Sequence, residues 1–316
     1  MKRTDKKLLA NIDTQHDKSE IDQGSAALNI KKRHYSMVLD AIEIEKEDAI
    51  SAGHLGFIHK GLTLCTMPYK DIKGGNEYTR SNGNVTLTII SPKAIGIPYG
   101  SIPRLLYIYI STEAVKTKQR EILLGRSLGE FMENLGLHKS SGGKRGDITR
   151  LYNQIKRLFA SRIQISYEHK NIFALRNIDI AEGLSLWHPK DHRQLSLWGN
   201  HITLNESFFK EITEAPVPLD LRAVKAFKSA PLELDLYFWL SHRLYSLKRP
   251  TIIPYPLLKL QFGAQYKRDR AFKENFLKAL KNVQYVWQSL KITADKDGLR
   301  IHPSKLPIDR HSMAKY

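Results

Sequence analysis

The 316-residue chain has a single cysteine, Cys65, and that scarcity removes several classes of protein at once. One thiol forms no intramolecular disulfide and no thiolate metal cluster, so a reducing compartment is the expected setting. Long hydrophobic runs are missing as well. The densest in the first half, Leu105-Leu106-Tyr107-Ile108-Tyr109-Ile110, follows Arg104 directly. It falls far short of the roughly 20 apolar residues a membrane span needs. Met1, Lys2 and Arg3 lead into a polar segment, so no secretory leader is expected either.

Catalytic signatures are equally sparse. No two of the 12 histidines stand two apart, as a DNA-nicking metal site would need, and Pro189 separates His188 from His192. Gly142-Gly143-Lys144-Arg145 invites comparison with a phosphate-binding loop, but the glycine spacing is wrong and Arg145 replaces the required hydroxyl. The expectation is therefore a non-enzyme with no catalytic residues, no metal and no cofactor. Acidic residues are the other shortage. Asp and Glu number 32 against 50 Lys and Arg, a formal net charge of +18 that points to a polyanionic partner.

What is present centres on Ser140 to Arg176. A glycine-basic turn (Gly142, Gly143, Lys144, Arg145, Gly146) precedes Asp147, a residue type suited to an N-cap. Ile148, Leu151, Ile155, Leu158 and Phe159 then recur at helical spacing. The opposite face carries Arg150, Asn153, Gln154 and Arg157, side chains that pair with guanine and adenine edges. Alternation of Ile163, Ile165 and Tyr167 with Gln164, Ser166 and Glu168 predicts a strand. The turn His169-Lys170-Asn171 and the run Ile172 to Leu175 predict its hairpin partner. Helix, strand, basic turn and strand is the order of a recognition helix with a wing.

The pattern recurs near the C-terminus. Tyr255 to Gly263 reads as a short helix ended by glycine. Tyr266-Lys267-Arg268 makes a basic turn. The helix from Arg270 to Val286 has Phe272, Phe276, Leu280, Val283 and Trp287 inward, with Arg270, Lys273, Lys278 and Lys281 outward. Leu290 to Thr293 and Leu299 to Ile301 are expected to form a second hairpin. The expected base readers are Arg150, Asn153, Gln154 and Arg157 in the first copy and Arg270, Lys273, Glu274 and Lys278 in the second. Lys144, Arg145, Lys156, Lys170, Lys267, Arg268 and Lys281 are expected to contact phosphates, which position without specifying.

Taken in order, residues 1–33 read as a disordered tail. A helix is predicted from Tyr35 to about Ile50 and a short strand from Leu62 to Thr66. Glu77 to Ile90 reads as a hairpin turned at Asn82-Gly83. A helix follows from Ser101, its expected cap, with Pro103 in the first turn. Glu121 to Leu124 is predicted as a strand and Leu128 to Leu135 as a helix. Pro216-Val217-Pro218 is expected to break the chain before Leu219 to Phe227. The most hydrophobic helix begins at Pro231. The fold class is α+β, mainly α, with two tandem winged-helix domains at residues 34–200 and 201–303 and a polar tail at 304–316. A dimer interface at the first unit and the Tyr78-to-Ile90 hairpin is a further expectation.

Longer motifs carry a resemblance. Pro98-Tyr99-Gly100-Ser101-Ile102-Pro103-Arg104-Leu105-Leu106, Ser111-Thr112-Glu113-Ala114-Val115 and the glycine-basic turn with Arg150-Leu151, Gln154 and Arg157-Leu158-Phe159 resemble the bacterial plasmid-encoded RepA replication initiator family. Pro216 to Ala223, Ala230-Pro231-Leu232, Leu234 to Tyr237, Trp239-Leu240 and Gln261-Phe262-Gly263 resemble it too, so the likeness runs over about residues 95–290. Arg145 stands where family members often have tryptophan. The resemblance implies a cytoplasmic, plasmid- or nucleoid-associated protein that binds double-stranded origin repeats (iterons) and helps open the duplex. It further implies recruitment of the host initiator and replicative helicase, and autoregulation through a homodimer. The competing class is a winged-helix transcriptional repressor with no part in replication.

Overall fold

Two helices with no polar face lie at the centre of the molecule. Ser101–Thr117 and Pro231–Ser246 bury residues on all sides, and a helix apolar all round must be enclosed by neighbours. The computed structural model describes residues 33–64, 66–124, 133, 137, 147–186, 201–263 and 265–309. In chain order its elements open with α1 (33–46), β1 (Leu55–His59), α2 (Lys60–Leu64), β2 (Glu77–Asn82), β3 (Val85–Ile90), α3 (Ser101–Thr117) and β4 (Glu121–Leu123). There follow α4 (Asp147–Phe159), β5 (Arg162–His169), β6 (Ile172–Asp179), β7 (Ala181–Leu184), β8 (His201–Leu204), α5 (Glu206–Glu214), β9 (Pro216–Asp220) and α6 (Leu221–Ala226). The last are α7 (Pro231–Ser246), β10 (Thr251–Pro254), α8 (Tyr255–Phe262), α9 (Asp269–Val286), β11 (Ile292–Ala294) and β12 (Gly298–Ile301). The result is a mixed α/β fold, mainly helical, with small antiparallel sheets.

The central helices are tied by one buried ion pair. Arg104 on α3 is 1% exposed, and its Nε and Nη2 each donate at 2.7 Å to the two carboxylate oxygens of Asp235 on α7. The remaining guanidinium donors go to the carbonyls of Gly100 (2.6 Å) and Met67 (2.7 Å). The guanidinium also lies 5.2 Å from the Tyr69 ring centroid. Burial pushes the Asp235 carboxyl up from its ordinary value, and the Arg104 charge opposes that shift. Gly100, with φ +77, occupies the cap position of α3, so Ser101 is the first helical residue and not the expected cap.

Long-range strand pairing departs further from the expectations. β1 pairs antiparallel with β9, Leu55 opposite Asp220 and His59 opposite Pro216. Pro216-Val217-Pro218 is therefore a strand and not a chain break, proline being tolerated in a two-stranded edge pairing. Leu62 to Thr66 is not a strand: residues 60–64 are helical, and Thr63 Oγ1 closes the turn onto the Lys60 carbonyl at 2.7 Å. The Glu77-to-Ile90 hairpin is present, with the turn one residue later, at Gly83 (φ +61) and Asn84. β3 also pairs with β5, giving the sheet β2-β3-β5-β6, so this hairpin is used inside the chain. The boundary expected at residue 200 falls between β7 and β8, two strands of the sheet β4-β8-β7. Within the stretch expected as a polar tail, Ile308 is buried with Leu55, Phe57 and Val115, and Trp287 Nε1 donates to the Lys305 carbonyl at 3.0 Å; residues 310–316 lie outside the described residues. Of the expected helix from Leu128 to Leu135 only Glu133, which is helical, is described; the rest of it, the Asp147 side chain, the tail to residue 32, Lys144 and Arg145 lie outside the described residues or side chains.

His59 closes the β1 end. Its Nδ1 accepts the Gly61 N–H at 3.2 Å, which leaves Nε2 to donate to Glu211 at 2.8 Å, the pattern of a neutral ring. Glu211 also accepts from Arg176 on β6 at 2.6 Å. Burial holds His59 below its ordinary value despite the Glu211 carboxylate, with Lys60 and Arg176 acting in the same direction as burial. His242 is lowered as well, by burial, Lys60 and Arg243.

Two outcomes follow. Asp235→Ala should lose about 3–5 kcal/mol of unfolding free energy by leaving Arg104 buried and unpaired, and Arg104→Met with Asp235→Leu should recover most of it. Urea unfolding of the three variants checks this. For the histidines, the unfolded chain binds protons near pH 6.5, where the folded rings do not. Stability is thus complete above about pH 6.5 and falls as the pH drops, by up to about 1.4 kcal/mol per pH unit for each ring. Urea midpoints measured across that range should show the slope, and His59→Gln should flatten it; an unchanged slope would remove His59 from the account.

Candidate nucleic-acid interface

α4 follows its apolar period closely. Leu151, Ile155 and Leu158 are fully buried, while Arg150, Asn153 and Lys156 are exposed on the far side. Lys156 Nζ lies 5.3 Å from the Tyr152 ring centroid. Two of the expected base readers do not join this face. Gln154 is only 5% exposed, and its Oε1 accepts the Tyr99 N–H at 3.0 Å. Arg157 Nη1 donates to Asp71 Oδ1 at 2.7 Å and to the Ile97 carbonyl at 3.0 Å, with its guanidinium 5.1 Å from the Tyr99 ring centroid. Gly96 (φ +83) lets the loop pass close beneath, since a Cβ there would sit 3.3 Å from Arg157 Cζ. Both side chains fasten α4 to the loop before α3. Arg150 and Asn153 line the rim of a cleft of about 590 Å³ that this loop and the start of α7 close on the other side.

The hairpin β5–β6 has full register from Arg162 opposite Asp179 to His169 opposite Ile172. Its base is closed by the Arg162–Asp179 pair, with two donor contacts of 2.8 and 2.7 Å. Lys170 sits at its tip in the left-handed region, φ +51, exposed. β6 also leaves Ile172 and Phe173 more than half exposed, which the alternating pattern did not announce.

The second corner is built on aromatic packing. Phe262, Phe272 and Phe276 are buried, the Phe276 ring centroid lying 5.7 Å from that of Phe262 and 5.3 Å from that of Phe272, and Trp239 of α7 packs 5.3 Å from Phe262. Val283 and Trp287 complete the expected inward stripe. Gly263 ends α8 at φ −99, so its need is room and not left-handed backbone: a Cβ would meet the Lys259 carbonyl oxygen at 2.7 Å. The hairpin β11–β12 is joined by β10 in the order β10-β12-β11. Gly298 is required where β10 crosses, since a Cβ would lie 2.3 Å from the Ile253 carbonyl oxygen.

On the outer side of α9, Arg270, Glu274, Lys278 and Lys281 are exposed at spacings of four, four and three. Arg270 Nε and Glu274 Oε1 are paired at 2.8 Å, so Glu274 is engaged one turn from its partner. Lys273 is turned toward the β11–β12 turn: its Nζ lies 4.0 Å from the Tyr255 ring centroid and 3.4 Å from the Lys296 carbonyl. Tyr255 in turn donates to the Asp295 carbonyl at 3.2 Å. Lys267 and Arg268 are exposed in the turn before α9. Arg80, which nothing local marks, reaches this corner from β2, 179 residues away, and its Nη2 donates to the Lys259 carbonyl at 2.6 Å. No helix among the described residues is long and apolar enough to cross a membrane.

Residues 97–252 match the family model described as plasmid-encoded RepA protein. The match spans α3 to the start of β10 and stops before α8 and α9. A solved structure of domains 2 and 3 of RctB, from selenomethionine derivatives, is 14% identical, with 79% of this chain and 97% of that one covered at a TM-score of 0.47. No curated protein matches the chain.

The placement separates two residues that are adjacent in sequence. Gln154→Ala should cost about 1–3 kcal/mol of stability, because the Tyr99 N–H loses its acceptor. Asn153→Ala should stay within about 0.5 kcal/mol of the parent. Urea unfolding resolves the two, and equal costs would contradict the inward placement of Gln154.

Proposed function

We propose, from the match of residues 97–252 to the plasmid-encoded RepA family model, a protein that initiates plasmid replication by binding repeated double-stranded sequences at an origin. The family match carries this reading. Supporting it, α9 presents an exposed basic row beside a three-stranded sheet, and α4 presents Arg150, Asn153 and Lys156 beside the β5–β6 hairpin. The order α7, β10, α8, α9, β11, β12, with β10 paired to β12, supports a winged-helix arrangement in the second unit. In the first unit β4 pairs with β8 instead, and its hairpin extends onto β3, so the same arrangement there is an elaborated one.

In this reading α4 and α9 each enter a major groove, together covering about 20 base pairs at about 10 per turn. With Gln154 and Arg157 committed inside the protein, base reading in the first unit falls to Arg150 and Asn153. In the second it falls to Arg270, Glu274 and Lys278, with Lys273 holding the wing. Lys156, Lys170, Lys267, Arg268 and Lys281 contact phosphates. Opening of the duplex, recruitment of a host initiator and helicase, and repression of its own gene through a homodimer belong to the same proposal.

Nuclease footprinting of the DNA flanking the gene, with random duplex as competitor, should show evenly spaced direct repeats that stay protected at moderate salt. Protection of one inverted repeat over a promoter would instead favour a repressor. Asn153→Ala should cost about 1–3 kcal/mol on the cognate repeat alone, while Lys170→Ala should weaken every duplex alike. Identical behaviour of the two variants on specific and random DNA would overturn the division of roles.

A further inference from the structure

Strand β2 carries Arg80 from the first unit to the corner where α8 gives way to α9. There Arg80, Lys259, Arg270 and Lys273 line a cavity of about 660 Å³ together with Tyr255 and Tyr266. Among the described residues the one carboxylate lining it is Asp269, which is paired to Lys259, and Arg270 is paired to Glu274 on its outer side, so four cations line the cavity against one carboxylate. The phenol rings form an apolar wall beside them. Arg80 itself is incompletely satisfied: Nη2 holds the Lys259 carbonyl at 2.6 Å, but Nε is enclosed with no hydrogen-bond partner among the described residues. A guanidinium donor kept from water without an acceptor is an unfavourable arrangement in the free protein.

We infer that this cavity seats one backbone phosphate of the duplex, with Arg80 of the first unit's hairpin completing the second unit's interface. The inference rests on the reading of α9 as a DNA-facing helix. A phosphate oxygen supplies the acceptor that Arg80 lacks after a small rotation of its terminal torsions, and the planar fork suits the tetrahedral anion. Lys259 and Lys273 add charge, and the phenol rings provide a surface for the adjoining deoxyribose. Because β2 belongs to the sheet that ends in the β5–β6 hairpin, a phosphate held here fixes the angle between the two units on DNA.

The salt dependence of binding tests this, measured by anisotropy with a labelled duplex taken from the gene-flanking DNA. Arg80→Ala should weaken specific and random duplex about equally, on the order of tenfold, and reduce the slope of log K against log salt by about 0.9. Arg80→Lys should keep the parental slope. Arg80→Gln, which retains a donor toward the Lys259 carbonyl and removes the charge, should repeat the Arg80→Ala result and stands in if that variant fails to fold. An unchanged slope for Arg80→Ala or Arg80→Gln, even with weaker binding, would mean that Arg80 only positions the hairpin. If Lys281→Ala, at a phosphate-contacting position of α9, lowers the slope while Arg80→Gln does not, this inference alone falls. If neither lowers it, the DNA-facing role of α9 falls with it.

Discussion

The Arg104–Asp235 pair is the constraint on which the arrangement of the two halves depends. Both groups are removed from water, and each is tolerable only because the other stands in bidentate register. A central contact made of two leucines would tolerate sliding and rotation of α3 against α7. A fork on a carboxylate does not, because a shift of an ångström leaves an uncompensated charge in the interior. The pair also gathers the Gly100 and Met67 carbonyls, so it positions the loop before α3 to which Gln154 and Arg157 of α4 are fastened. Arg222 does similar work at the rim, joining Asp220 of β9 to the carbonyls of Glu43 and Glu47 at the end of α1.

Seen from that core, the two basic corners are not copies in their surroundings. α9 stands with its polar side open and its cations divided between solvent and the β11–β12 turn. α4 has half of its polar side spent on the protein itself. Periodicity foretold the buried residues of both helices correctly, from Leu151, Ile155 and Leu158 to Phe272, Phe276 and Val283. It could not sort the polar residues, because an amphipathic pattern says only what avoids water. Arg157 and Arg150 look alike in a helical projection. Asp71 and the Ile97 carbonyl, far off in sequence, decide that Arg157 is structural.

The electrostatics divide along similar lines. The net charge of +18 favours a polyanion, yet several of the arginines that contribute to it are consumed internally, Arg104, Arg157 and Arg222 among them. The charge available to a partner is carried more by Lys156, Lys170, Lys267, Arg268, Lys278 and Lys281, all exposed. Lysines serve well as delocalised phosphate contacts, whereas the planar arginine fork is favoured where two acceptors must be held at fixed geometry.

Composition, apolar periodicity and turn residues by themselves determined the helices at α3, α4, α7, α8 and α9, the three hairpins and the basic character of the surface. Each of those rests on interactions within a few residues, so local order suffices to write them. The motifs that resemble the RepA family are local for the same reason. The tertiary structure alone decided the β1–β9 pairing, the helix in place of a strand at residues 60–64, the extra strands beside the β5–β6 and β11–β12 hairpins, the inward turn of Gln154 and the arrival of Arg80 at the α8 corner. All of these depend on which distant segment offers a hydrogen-bonding edge, a carboxylate or a carbonyl at the right place. A backbone or side-chain polar group must be satisfied once it is buried, but its own neighbours in the chain do not say by whom.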